Sequence, residues 1–165
     1  MQLHNIKIAK HTENTKLSRL HSRDFLCSFF VGMFEFQEVT IMEQKFYICE
    51  NCGNIVAMVK PSGVPIICCG KIMKELVPGT TDASAEKHVP VYKVENGRVD
   101  VVIGDVAHPM AEEHFIEWVS LQTKQGNQRK QLQPGNEPKV SFLIEADDEV
   151  EAVYAYCNLH SLWKA

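Results

Sequence analysis

The chain has 165 residues, a formal net charge of −4 and 45% hydrophobic residues, enough for one ordinary domain or two small ones with a packed core. It carries no long basic run, which argues against nucleic acid as the main partner because phosphate binding needs clustered Lys and Arg. No apolar stretch reaches the roughly 18 residues needed to span a membrane, so no membrane partner is expected.

Residues 1–41 differ in character from the rest of the chain. They are polar and irregular, then aromatic-rich from Phe25 to Phe36, with Ser28, Gly32 and Glu35 interrupting the run. Lys7, Lys10, Lys16, Arg19 and Arg23 precede that run in the manner of a secretory leader, but the leading part is long and no small-residue cleavage pattern succeeds it. The segment carries a net +1 against −5 for the remainder. The reading is a dispensable, poorly ordered extension over 1–41, with Met42 as a candidate biological start and the cytoplasm as the expected location.

From Lys45 to Val77 short strand-like runs, Phe46–Ile48 and Ile55–Val59, alternate with tight loops, and Pro61-Ser62-Gly63 signals a turn. A unit over 42–79 is too small for an adequate core, so a metal staple is expected. Pro78-Gly79 marks the boundary, and 80–165 forms a second domain. There Val89–Val94 and Arg98–Ile103 flank Asn96-Gly97, a strong hairpin signal. Phe115–Thr123, Val140–Glu145 and Val150–Tyr156 alternate apolar and polar residues, and Gln125–Pro138 reads as loop-rich. No amphipathic helix or repeat stands out. The fold class is all-β, an antiparallel sandwich or barrel for the larger part.

Six cysteines are present: Cys27, Cys49, Cys52, Cys68, Cys69 and Cys157. A disulfide framework fits poorly, because Cys49/Cys52 and Cys68/Cys69 sit too close in sequence for ordinary structural bridges. Metal ligation fits better. A CxxC loop lets two thiolates grip one ion from a tight turn, and the second pair completes a tetrahedral sulfur shell. The spacing suits a zinc ribbon or a rubredoxin-like iron site, and tetrahedral thiolate coordination alone leaves zinc and iron open.

Beyond residue 41 there are four histidines. His88 lies in Glu86-Lys87-His88-Val89-Pro90. His108 and His114 bound His-Pro-Met-Ala-Glu-Glu-His, and His160 shares a short loop with Cys157. Should all five donors share one ion, the count is informative, since structural zinc normally stops at four. Five ligands with one open position suit a six-coordinate redox metal such as iron.

These motifs, together with Cys157-Asn158-Leu159-His160-Ser161-Leu162-Trp163 and the adjacent Cys68-Cys69 pair, resemble desulfoferrodoxin, the two-iron form of superoxide reductase. The resemblance spans residues 42–165. It implies a desulforedoxin-like iron domain with Cys49, Cys52, Cys68 and Cys69 as ligands, followed by an immunoglobulin-like β-sandwich. It implies a second iron in a square-pyramidal site, with His88, His108, His114 and His160 equatorial and Cys157 axial, where superoxide is reduced to hydrogen peroxide. Lys87 is then expected to attract the superoxide anion, and Glu86 is a candidate ligand of the open position in the ferric state. Met110 and Trp163 are read as packing residues, and Glu113 as solvated or as orienting an imidazole. A homodimer and a rubredoxin-like or reductase electron donor are also implied. The rival readings are a non-enzymatic iron electron carrier and a zinc-stapled binding module.

Overall fold

A computed structural model describes residues 43–165, which belong to one compact unit. The expected extension over 1–41, with Cys27, and the candidate start at Met42 lie outside the described residues.

The chain is built almost entirely of strands. β1 (Lys45–Ile48), β2 (Ile55–Met58), β3 (Ile67–Cys68), β4 (Lys71–Ile72) and β5 (Lys74–Glu75) form the cysteine-rich part. One helical turn, α1 (Ala85–His88), follows. Then come β6 (Pro90–Glu95), β7 (Arg98–Ile103), β8 (Ile116–Thr123), β9 (Asn127–Gln131), β10 (Lys139–Leu143), β11 (Val150–Cys157) and β12 (Ser161–Lys164). They pair as sheets in the orders β2-β1-β5, β3-β4, β10-β7-β6 and β12-β11-β8-β9, all antiparallel.

The β6–β7 hairpin turns on Asn96 and Gly97, both at positive φ, as a two-residue turn matched to strand twist requires. A side chain at Gly97 would meet the Ile144 carbonyl at 2.9 Å, so glycine is needed there on two counts.

The period of two along β8 and β11 sorts side chains between two cores. Val119 and Leu121, with Val153, Ala155 and Cys157, face the sandwich interior against Val99, Val101, Ile103 and Phe142. Trp118, Ala152, Tyr154 and Tyr156 face the other way, onto Phe46 and Leu76 from the cysteine-rich part. Phe46 sits 5.0 Å from the Trp118 ring and 5.3 Å from Tyr154. It is fully buried, and losing such a side chain from a packed core costs about 3–5 kcal/mol. Burial on both faces is why β8 and β11 are closed to solvent over most of their lengths.

Three elements add to the sequence reading. Gln125–Pro138 is not all loop, because Asn127–Gln131 pairs with β8 as β9. Every β9 residue is exposed and polar, so this edge strand has no hydrophobic alternation to announce it. β12 pairs with the end of β11, and four residues after a tight turn leave too short a pattern to read. α1 is a single turn, below the length at which helical periodicity shows.

Candidate metal centres

The first cluster is assembled by two tight turns. Cys49 and Cys52 follow β1 in a loop closed by Cys49 N–H donating to the Asn54 carbonyl (2.9 Å) and Gly53 N–H to the Cys49 carbonyl (2.8 Å). Cys68 ends β3, and Cys69 and Gly70 make the turn into β4 at φ 50° and 74°. The left-handed step at Cys69 is how two neighbouring side chains reach one point. The four sulfurs lie within 4.8 Å of one another, and Cys52 and Cys68 are 3.6 Å apart. No disulfide joins them. Backbone amides of Cys52 and Asn51 hold the Cys49 thiol down to about 7, whereas hydrogen bonds with Cys49 and Cys52 push Cys68 up to about 12. Protons shared among crowded thiols in this way mark a site where a cation would replace them.

The second cluster draws on three segments. α1 supplies His88, the loop after β7 supplies His108 and His114, and the turn from β11 to β12 supplies Cys157 and His160. Their donor atoms again lie within 4.8 Å of one another. The four imidazoles close a cycle, with His88–His108, His108–His114, His114–His160 and His160–His88 centroids 4.7, 4.6, 4.8 and 4.7 Å apart, each pair edge to face. His88 lies across the cycle from His114 at 6.1 Å. Cys157 Sγ stands 3.6 Å from His160 Nδ1.

Hydrogen bonds decide which ring nitrogen points inward. His88 Nδ1–H donates to the Ser84 carbonyl (2.7 Å) and His108 Nδ1–H to the Pro109 carbonyl (2.6 Å), which turns both Nε2 atoms to the centre. His88 Nε2 is 2.9 Å from His160 Nδ1, so His160 presents its other nitrogen. Trp163 stacks on His88 at 4.8 Å and donates its indole N–H to the His160 carbonyl (2.9 Å). Met110 packs on the sandwich core.

Burial lowers the proton affinity of His88 and His114 and takes His108 down to about 4; the neighbouring imidazoles add to the effect. Burial also raises the Cys157 thiol. His88, His108 and His114 are therefore neutral near pH 7, with lone pairs available. The Nε2 atoms of His108 and His114 are buried without a hydrogen-bond partner. Such orphans cost about 1–3 kcal/mol each if left unpaired, and a metal ion is the partner that satisfies all of them at once. The residues fit a bound ion.

Glu86 and Lys87 lie on α1 beside His88, both exposed. The Ser84 hydroxyl donates to the Glu86 carboxylate, which holds that carboxyl below its ordinary range. The charge of Lys87 is felt at both His88 and His114. Glu113 gives its carbonyl to Asn158, while its side-chain charge acts on His114. Ser84 and Pro109 escape sequence reasoning, because they act through backbone carbonyls and leave no side-chain signature. Asn158 acts through its side chain, yet within its motif nothing but the fold gives it a role.

A strand scaffold that gathers four imidazoles and one thiol about a point, with a separate cluster of four thiols, defines a mononuclear metalloprotein with two unlike centres. A family model described as Desulfoferrodoxin matches residues 80–165. A desulfoferrodoxin homolog of Archaeoglobus fulgidus is 47% identical over 119 residues, covering 72% of this chain and 94% of its own. The desulfoferrodoxin of Nitratidesulfovibrio vulgaris is 43% identical over 123 residues, covering 74% and 96%. The crystal structure of the superoxide reductase from Treponema pallidum matches with a TM-score of 0.64 and 39% identity, over 75% of this chain and 99% of that one. This chain belongs to the desulfoferrodoxin family.

Proposed function

We propose that the chain is a superoxide reductase with two iron ions, one held by Cys49, Cys52, Cys68 and Cys69 and one by His88, His108, His114, His160 and Cys157. The observation that carries this reading is the convergence of four imidazoles and a buried thiol on one point. Bound iron supplies the one electron that, with two protons, converts superoxide to hydrogen peroxide.

The protein's own groups prepare that step. His88, His108 and His114, whose proton affinity burial lowers, offer lone pairs without a competing proton. Cys157 lies at the end of a fully buried strand segment, so its sulfur is shielded from solvent and reaches the site from the core side. As a thiolate it would be a strong electron donor to a bound iron. Lys87 places an exposed positive charge beside the imidazoles, which raises the local concentration of a small anion on a protein of net negative charge. Glu86, two residues from His88 and now bonded by the Ser84 hydroxyl, is the carboxylate that would be available to a bound iron.

Residues 42–79 and 80–165 are read as an iron-stapled domain and a catalytic domain. The chain is read as a homodimer, for which the exposed pair Ile67 and Ile72 on the β3–β4 hairpin offers an apolar surface. A rubredoxin-like protein or a reductase is the electron donor, and the cytoplasm the location. No helix among the described residues is long and apolar enough to cross a membrane.

The test is stoichiometric. Reduced, iron-loaded protein mixed rapidly with superoxide should form one peroxide per superoxide consumed, without evolving oxygen. Oxygen evolution at half that peroxide yield would mean dismutation. No reaction would leave an electron carrier, and a colourless protein containing zinc would leave a binding module.

A further inference from the structure

The four imidazoles of the second centre are not held in the same way. His88 and His108 are each fixed by a hydrogen bond from Nδ1 to a backbone carbonyl. His160 is held by its neighbours on the β11–β12 turn, where Trp163 takes its carbonyl. The His114 ring makes no hydrogen bond to any described residue, and its Nε2 is buried and unpartnered. Its orientation has to come from its backbone.

That backbone is fully tied. His114 N–H donates to the Ala111 carbonyl (3.1 Å), and Ala111 N–H donates to the His114 carbonyl (3.0 Å). The groups on either side go to one residue. Asn158 Nδ2 donates to the Glu113 carbonyl (2.9 Å), Phe115 N–H donates to Asn158 Oδ1 (3.0 Å), and Asn158 N–H donates to the Phe115 carbonyl (3.2 Å). The amide orientation follows from the network, since the Glu113 carbonyl needs a donor and the Phe115 N–H an acceptor. Asn158 sits between Cys157 and His160, so its side chain bridges the segment carrying His114 to the segment carrying two other ligands.

We propose that Asn158 is a positioning residue for the second metal centre: its side-chain amide brackets His114 and sets that imidazole against Cys157 and His160. Asparagine suits the position because only a side chain with a donor and an acceptor at adjacent atoms satisfies both flanking peptide groups. Leucine removes both, and aspartate keeps the acceptor for Phe115 but faces the Glu113 carbonyl with a second acceptor. The inference rests on the reading of this cluster as a metal site, and goes beyond it by naming the residue that completes the site.

The experiment is chelator-driven release of iron(II), followed separately at the two centres by their absorption, in the full chain. Asn158→Leu should speed release from the second centre roughly 10- to 100-fold, the usual cost of losing a residue that orients a ligand, and leave the four-cysteine centre unchanged. Asn158→Asp should fall between Leu and the native residue. In a His114→Ala background the Asn158→Leu change should add little, because residues acting through one another are not additive. Equal release rates for Asn158→Leu and the native chain overturn the proposal. So does an effect that persists undiminished when His114 is already absent, or equal acceleration at both centres, which marks a general loss of fold. A native chain that retains metal only at the four cysteines overturns the metal reading itself, and the proposal with it.

Discussion

The two centres solve the same problem, bringing soft and nitrogen donors to one point, by opposite means. At the four-cysteine cluster Cys52 and Cys69 are exposed, and the strands that carry the ligands are two to four residues long. At the histidine cluster three of five ligands are buried, and one of them, Cys157, is itself part of the sandwich core. The first site has little besides its ion to hold the turns together. The second is preorganised by β8, β11 and the hydrogen bonds that aim its rings. A metal that contributes to folding is thereby told apart from one that is only received.

Metal removal should divide the molecule along that line, and this is the largest effect expected. In a chelated, reduced chain the β3–β4 hairpin and the Cys49–Asn54 turn should lose their ordered amide signals, as small metal-stapled units do. The amides of β7, β8 and β11 should stay dispersed. Loss of both sets together would show that the sandwich, too, depends on its ion, and would erase the contrast.

A smaller effect concerns Lys87. Lys87→Ala should slow the second-order reaction with superoxide by roughly tenfold at low salt and flatten its dependence on ionic strength. The four-cysteine absorption should not change. An unaltered rate and salt slope would take Lys87 out of the mechanism and leave the site's preorganisation as the whole account.

The smallest effect is one of pH. Burial lowers the proton affinity of His88, His108 and His114 in the folded chain, His108 to about 4 from an ordinary 6.5. The unfolded chain therefore binds protons that the folded one does not, and the stability of the metal-free protein should fall as pH drops from about 6.5 toward about 4, then level off. Denaturant titrations across that range measure it. A stability that rises on acidification would mean the rings are already charged and the cluster is not poised for a metal.

Much of the candidate site is legible in the sequence, because ligands announce themselves chemically. Cysteine pairs and a loop bearing both thiolate and imidazole are rare outside metal sites, and Cys157 and His160 share such a loop. The strands with clear alternation, β6, β7, β8 and β11, are legible within a residue or so. β9 is not, since an exposed polar edge has no apolar partner to register against. β12 is not, since its two buried residues, Leu162 and Trp163, are too few to show a period.

Donor chemistry and hydrophobic period are local properties, so the order of amino acids alone settles which atoms could bind metal and that the chain folds as strands. That residues as distant as His88 and His160 meet, which nitrogen each ring turns inward, and that Asn158 holds His114 in place are matters of the folded chain. They depend on carbonyls and amides brought together by sheet pairing, and a backbone group carries the same letters wherever the chain puts it.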